Sequence, residues 1–127
     1  MNRSKILVVD DDDDFCELVV KKLIHNKMNA EGAKNGSRAM EILKHKEFDV
    51  VVLDVKMPGV SGIETLKWIK TNQPRVEVIM LTGDVSVEAG ITGMQAGAFD
   101  YVSKPVPMNE LMDKIRQAFE KKLGQKI

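Results

Sequence analysis

Short apolar runs alternate along this chain with longer stretches in which apolar residues recur at helical spacing. The runs Ile6-Leu7-Val8-Val9 and Val50-Val51-Val52-Leu53 are brief, β-branched and bounded by polar residues, so they read as strands covered on both faces. The pattern predicts strands near 5–10, 28–32, 49–54, 76–81 and 99–102, and helices near 13–25, 37–45, 61–72, 86–96 and 107–122. Turn chemistry supports these limits: Asn35-Gly36-Ser37 opens the second helix, Met57-Pro58-Gly59 and Ser61 open the third, and Asn72-Gln73-Pro74 closes it. Five repeats of strand then helix require parallel neighbours joined by crossovers. The expected fold class is therefore α/β, a doubly wound (βα)5 five-stranded parallel sheet.

Length and charge narrow the picture. At 127 residues the chain is expected to form a single domain, residues 1–127, burying roughly two-thirds of its unfolded surface. Nineteen basic residues balance nineteen acidic ones, so no excess positive charge points to nucleic acid or a membrane surface. The lysines near the C-terminus, Lys121, Lys122 and Lys126, read as a solvated helix tail. The single cysteine, Cys16, has no intramolecular partner and reads as a buried thiol in an apolar helical stripe. The four apolar residues before Asp10 are too few for a signal-peptide core or a membrane span, which makes the cytoplasm the expected compartment.

Candidate chemistry gathers where the strands end. Asp10 to Asp14 follow the first strand directly, and the third strand ends in Asp54. In open parallel sheets ligands collect beyond the carboxyl ends of the strands, so the functional edge is expected to be acidic. Asp12 or Asp13 is expected to cap the first helix, with Asp14 exposed. Asp10 and Asp11 stand behind that cap, where further acid is unhelpful unless a hard cation neutralises it; Mg2+ (or Mn2+) favours carboxylates together with phosphate oxygens and water. Thr82 follows the fourth strand, and Lys104-Pro105 the fifth. Together they make a phosphoryl-transfer set: Asp54 as carboxylate nucleophile, Asp10 and Asp11 for the metal, Lys104 and the Thr82 hydroxyl for phosphoryl oxygens.

These residues also carry a resemblance. Through Ile6-Leu7-Val8-Val9-Asp10-Asp11, Val52-Leu53-Asp54-Val55-Lys56-Met57-Pro58-Gly59, Leu81-Thr82-Gly83 and Tyr101-Val102-Ser103-Lys104-Pro105, the chain resembles the receiver domains of bacterial two-component response regulators from about Lys5 to Leu123. The resemblance implies a flavodoxin-like sheet of strand order 2-1-3-4-5, with Asp54 as phosphoacceptor for a sensor histidine kinase or phosphotransfer protein. It also implies Asp10, Asp11, Asp54 and the Lys56 backbone carbonyl as metal ligands, and Thr82 and Lys104 as residues that read the phosphoryl group. Tyr101 is implied to move inward and alter a face made by the fourth helix, fifth strand and fifth helix. That face would meet an output partner or effector domain, or form a phosphorylation-dependent homodimer. The stretch from Leu81 to Tyr101 is similar to receivers fronting NtrC-type transcriptional activators, although these residues leave no room for an output domain. Such a protein is a phosphoprotein switch and no enzyme beyond its own phosphorylation and hydrolysis.

Some features admit two readings. Lys56 and Asp84 flank the site and either pair as a lid over the phosphoryl group or are unrelated surface charges. Gly90 and Gly93 make the fourth helix either a low-stability movable element or one packed close against its neighbours. Trp68 and the scattered methionines read as structural, and His25 and His45 as helix-end cations without metal-site spacing. A flavodoxin-like electron carrier would need phosphate donors where this chain has Asp10 to Asp14. Aspartyl phosphatases resembling this set place the nucleophile after the first strand and usually carry a cap insertion. A receiver-shaped interaction module that accepts no phosphate is the third alternative, against which the intact set of site residues argues.

Overall fold

The apolar runs form strands and the periodic stretches form helices, in strict alternation. The computed structural model describes residues 4–56, 61–83 and 87–124. In chain order the elements are β1 (Lys5–Val9), α1 (Asp13–His25), β2 (Asn29–Ala33), α2 (Gly36–His45) and β3 (Val50–Asp54). They continue with α3 (Gly62–Asn72), β4 (Glu77–Gly83), α4 (Val87–Gln95), β5 (Asp100–Lys104) and α5 (Met108–Gly124). All neighbouring strands pair parallel, in the order β2-β1-β3-β4-β5.

Strand side chains alternate between faces, so each apolar run supplies two cores at once. Leu7, Val9, Val51, Leu53, Val78 and Met80 face a core closed by residues of α2 and α3 such as Ile42, Leu43, Leu66 and Ile69. Ile6, Val8, Val50, Val52, Ile79 and Leu81 face a second core closed by Val19 and Leu23 of α1 and Leu111, Ile115 and Ala118 of α5. Val50 to Leu53 are wholly buried, which is why β3 shows no polar alternation in the sequence.

Local chemistry sets the helix starts. Asp12 caps α1, its Oδ1 accepting the Phe15 N–H at 3.1 Å, and Asp14 is exposed. Asn35 caps α2 through Arg38 N–H at 2.8 Å. Ser61 and Glu64 form a reciprocal capping box at α3. His25 and His45 are the last residues of α1 and α2, as expected of helix-end histidines. Among the described residues no helix is long and apolar enough to cross a membrane.

Three expectations need correction. β4 and β5 run on to Gly83 and Lys104, beyond the expected ends near 81 and 102, because parallel pairing continues through Thr82–Ser103 and Gly83–Lys104. The C-terminal lysines are not simply solvated: α5 lies across the β3 and β4 starts, bringing Lys122 Nζ to 2.6 Å from Asp49 and Lys121 Nζ to 3.5 Å from Glu77. Lys126 lies outside the described residues. Cys16 is half-buried, its Sγ donating to the Val8 carbonyl at 3.6 Å beneath Gly32, where a Cβ would come within 2.7 Å of the sulfur. Burial first, then the charge of Asp10, raises the Cys16 pKa and keeps the thiol protonated.

Candidate functional site

Sheet register brings the acids together. Val9 pairs with Leu53, so Asp10 and Asp54, one residue further along adjacent central strands, finish side by side. Lys104 ends β5 at the same edge, beyond the Leu81–Val102 pair. Asp10 is fully buried and Asp54 nearly so, while Asp11 is exposed.

Each buried carboxylate is held from two sides. Asp10 Oδ1 accepts the Asp12 N–H at 2.9 Å and its Oδ2 accepts from Lys104 Nζ at 2.8 Å. Asp54 Oδ1 accepts the Lys56 N–H at 3.2 Å, and its Oδ2 lies 3.6 Å from the same ammonium. Lys104 thus bridges both acids from a side chain only 24% exposed. One cation between two buried carboxylates leaves surplus negative charge. Burial, then the charge of Asp10, pushes the Asp54 pKa up to about 6, against the opposing pull of Lys104 and the Lys56 N–H. For Lys104, burial works against the charged form but is outweighed by the Asp10 hydrogen bond and the charges of Asp54 and Asp10, so its pKa is raised.

The donor set suits a hard divalent ion. Asp10, Asp11 and Asp54 each offer a carboxylate oxygen, all within 4.8 Å of one another. Oxygen donors of this kind, on an edge carrying uncompensated negative charge, could hold Mg2+ or Mn2+.

A family model of the response regulator receiver domain matches residues 6–116. The chain belongs to that family. This receiver is 34% identical over 118 residues to the response regulator protein PilR of Pseudomonas aeruginosa, covering 93% of this chain and 26% of the relative. To the DNA-binding transcriptional regulator NtrC of Escherichia coli K12 it is 33% identical, over 93% of the chain and 25% of the relative. It therefore spans about a quarter of the length of these two relatives. Its fold is similar to the crystal structure of a CheY-like response regulator receiver domain protein from Methanospirillum hungatei, with a TM-score of 0.93 at 27% identity, covering 98% of this chain and 99% of that one.

Of the remaining residues singled out in the sequence, the described ones fall at or near this edge. Thr82 is buried in β4, and its hydroxyl donates to the Val102 carbonyl at 3.4 Å. Tyr101 is 39% exposed, with its ring against the backbone of α4 at Gly90, an outward position. Lys56 is exposed. Asp84, its suggested pairing partner, and Met57-Pro58-Gly59 lie outside the described residues.

Two residues at the edge escape sequence reasoning. Gly62 begins α3 so close to β3 that a Cβ there would lie 2.5 Å from the Asp54 carbonyl oxygen and 2.6 Å from Val55 Cα. The glycine directly after the Ser61 cap was its only signal. Phe15, on the first turn of α1, places its ring 4.7 Å from Lys104 Nζ. Nothing local announces that contact, since its partner is supplied by the last strand.

Proposed function

We propose that this receiver is a phosphoacceptor switch in a two-component phosphorelay, with Asp54 as the acceptor. The carrying observation is that one ammonium, Lys104 Nζ, stands 2.8 Å from Asp10 and 3.6 Å from Asp54, so that Asp54 shares a single cation with Asp10 at the carboxyl edge of the sheet. A carboxylate oxygen of Asp54 attacks the phosphorus of a phosphohistidine on a sensor histidine kinase or phosphotransfer protein. The P–N bond breaks, its electron pair returns to the imidazole nitrogen, and Asp54 becomes an acyl phosphate.

Asp10, Asp11, Asp54 and the Lys56 carbonyl would hold Mg2+ or Mn2+, which supplies positive charge to the phosphoryl oxygens when bound. Lys104 exchanges a carboxylate for a phosphoryl oxygen, and Thr82 leaves the Val102 carbonyl to donate to another. Tyr101 turns inward behind Thr82, and the face of α4, β5 and α5 changes for an output partner, an effector domain or a second receiver. The chemistry is confined to self-phosphorylation and hydrolysis of the acyl phosphate by water, without turnover of another substrate. Its setting is the bacterial cytoplasm.

Intact-protein mass after incubation with acetyl phosphate tests this reading, with and without Mg2+ and beside Asp54→Asn. A metal-dependent gain of one phosphoryl group, lost in the variant, is expected. No gain under any condition would leave a phosphate-independent interaction module.

A further inference from the structure

The Lys104 ammonium has a neighbour that the phosphoacceptor chemistry leaves unused. Its Nζ lies 4.7 Å from the centroid of the Phe15 ring, a distance at which the negative face of an aromatic ring attracts a cation. Phe15 is fixed from two directions. Its N–H is held by the Asp12 cap at 3.1 Å, and its half-buried ring packs against the core beneath α1 and α5. Lys104 is only 24% exposed, so water screens the contact less than it would on an open surface.

We propose that Phe15 is a positioning residue for phosphoryl transfer, its ring face keeping the Lys104 ammonium over the site while that ammonium exchanges Asp10 for a phosphoryl oxygen. The inference rests on Asp54 being the phosphoacceptor. A lysine ammonium sits on a flexible four-carbon stem and is strongly hydrated, so releasing Asp10 would free it to swing into water. A charged third partner would either compete with the phosphoryl oxygen or repel the ammonium. An aromatic face attracts the charge while leaving N–H donors available, and it is present on both sides of the exchange. An aliphatic side chain of similar size would fill the same space without that attraction.

The separating experiment compares Phe15→Leu, Phe15→Met and Phe15→Tyr with the unaltered chain. Two quantities are read: the initial rate of phosphoryl gain from acetyl phosphate with Mg2+, and the proton shift of the Lys104 ε-methylene, which senses the ring current without any phosphorylation. Leu and Met are expected to slow uptake about three- to tenfold, the effect of losing a cation–π contact, and to remove the upfield shift. Tyr is expected to restore both, which a packing role alone would not require. Uptake in Leu and Met equal to the unaltered chain, failure of Tyr to rescue, or absence of the ring-current shift overturns the proposal. Absence of uptake in the unaltered chain overturns the Asp54 assignment together with it, whereas normal uptake insensitive to residue 15 overturns this inference alone.

Discussion

Replacing Asp54 by asparagine is expected to stabilise the metal-free receiver above about pH 6, because the buried carboxylate is held next to Asp10 with one ammonium between them. A carboxyl moved from an ordinary 3.8 to about 6 has lost close to two pKa units, or about 3 kcal/mol, of preference for its charged form. Asp11 stands in solvent and Lys104 is 24% exposed, so water screens part of this and the expected gain falls to about 1 to 2 kcal/mol. For a domain of this size that corresponds to a rise in Tm of about 3 to 8 °C.

The pH dependence fixes the cause. The folded protein binds the Asp54 proton more tightly than the unfolded chain, so between about pH 4 and 6 the unfolded state holds fewer protons and stability falls as pH rises through that window. The advantage of Asp54→Asn is therefore full above about pH 6, shrinks as pH falls, and is gone below about pH 4. Thermal unfolding followed by circular dichroism in EDTA at pH 8 and at pH 4 measures it, and added Mg2+ should bring the unaltered receiver toward the variant. A variant no more stable at pH 8, or equally favoured at both pH values, would refute the electrostatic reasoning.

Three further outcomes follow from the same geometry. Gly62→Ala places a methyl against backbone atoms of Asp54 and Val55 that cannot swing aside, so it should cost roughly 1 to 3 kcal/mol in urea unfolding and slow phosphoryl uptake. Ser61→Ala removes the hydroxyl that accepts the Glu64 N–H in the capping box of α3, while the Ser61 N–H can still donate to Glu64, and should cost about 1 kcal/mol, with little change in uptake. Lys122→Met leaves Asp49, now 2.6 Å from an ammonium, with the Lys5 N–H as the remaining donor to its carboxylate among the described residues; a loss of about 1.5 to 3 kcal/mol is expected, seen as a lower urea midpoint.

What the sequence reveals depends on how local the physics is. Central parallel strands are buried on both faces, so β1 and β3 show as unbroken apolar runs, and the carboxylates ending them are visible by position alone. Cap chemistry is equally local, which is why Asp12, Asn35 and Ser61 could be read as helix starts. The β4 and β5 ends are not local: Thr82 and Ser103 are in strand because they pair with each other. The basic end of α5 has the same lesson. Lys122 reads as solvated until the fold sets it beside Asp49, and no spacing along the chain predicts an acid so far from it in sequence. Phe15 and Lys104 meet only because α1 and β5 flank one edge of the sheet.

Of the two readings of α4, the structure shows the close packing. Gly93 has no side chain because Met80 Sδ and Cε occupy the space a Cβ would need, and Gly90 has none because the Tyr101 ring lies within 2.8 Å of that position. The glycines that permit this approach each remove about 0.5 to 1 kcal/mol of intrinsic helix stability. α4 therefore relies on β4 and β5 side chains to stay where it is, and those strands carry Thr82 and Lys104 near their ends. With Ile91, Met94 and Tyr101 exposed on and beside it, the helix presents an apolar surface next to the Tyr101 ring. On the proposed function, Thr82 gives up its long 3.4 Å hydrogen bond to Val102 for a phosphoryl oxygen, and Tyr101 leaves Gly90. A helix held by fit more than by propensity then changes population for a small change in contact, as a switch acting on a pre-existing equilibrium requires.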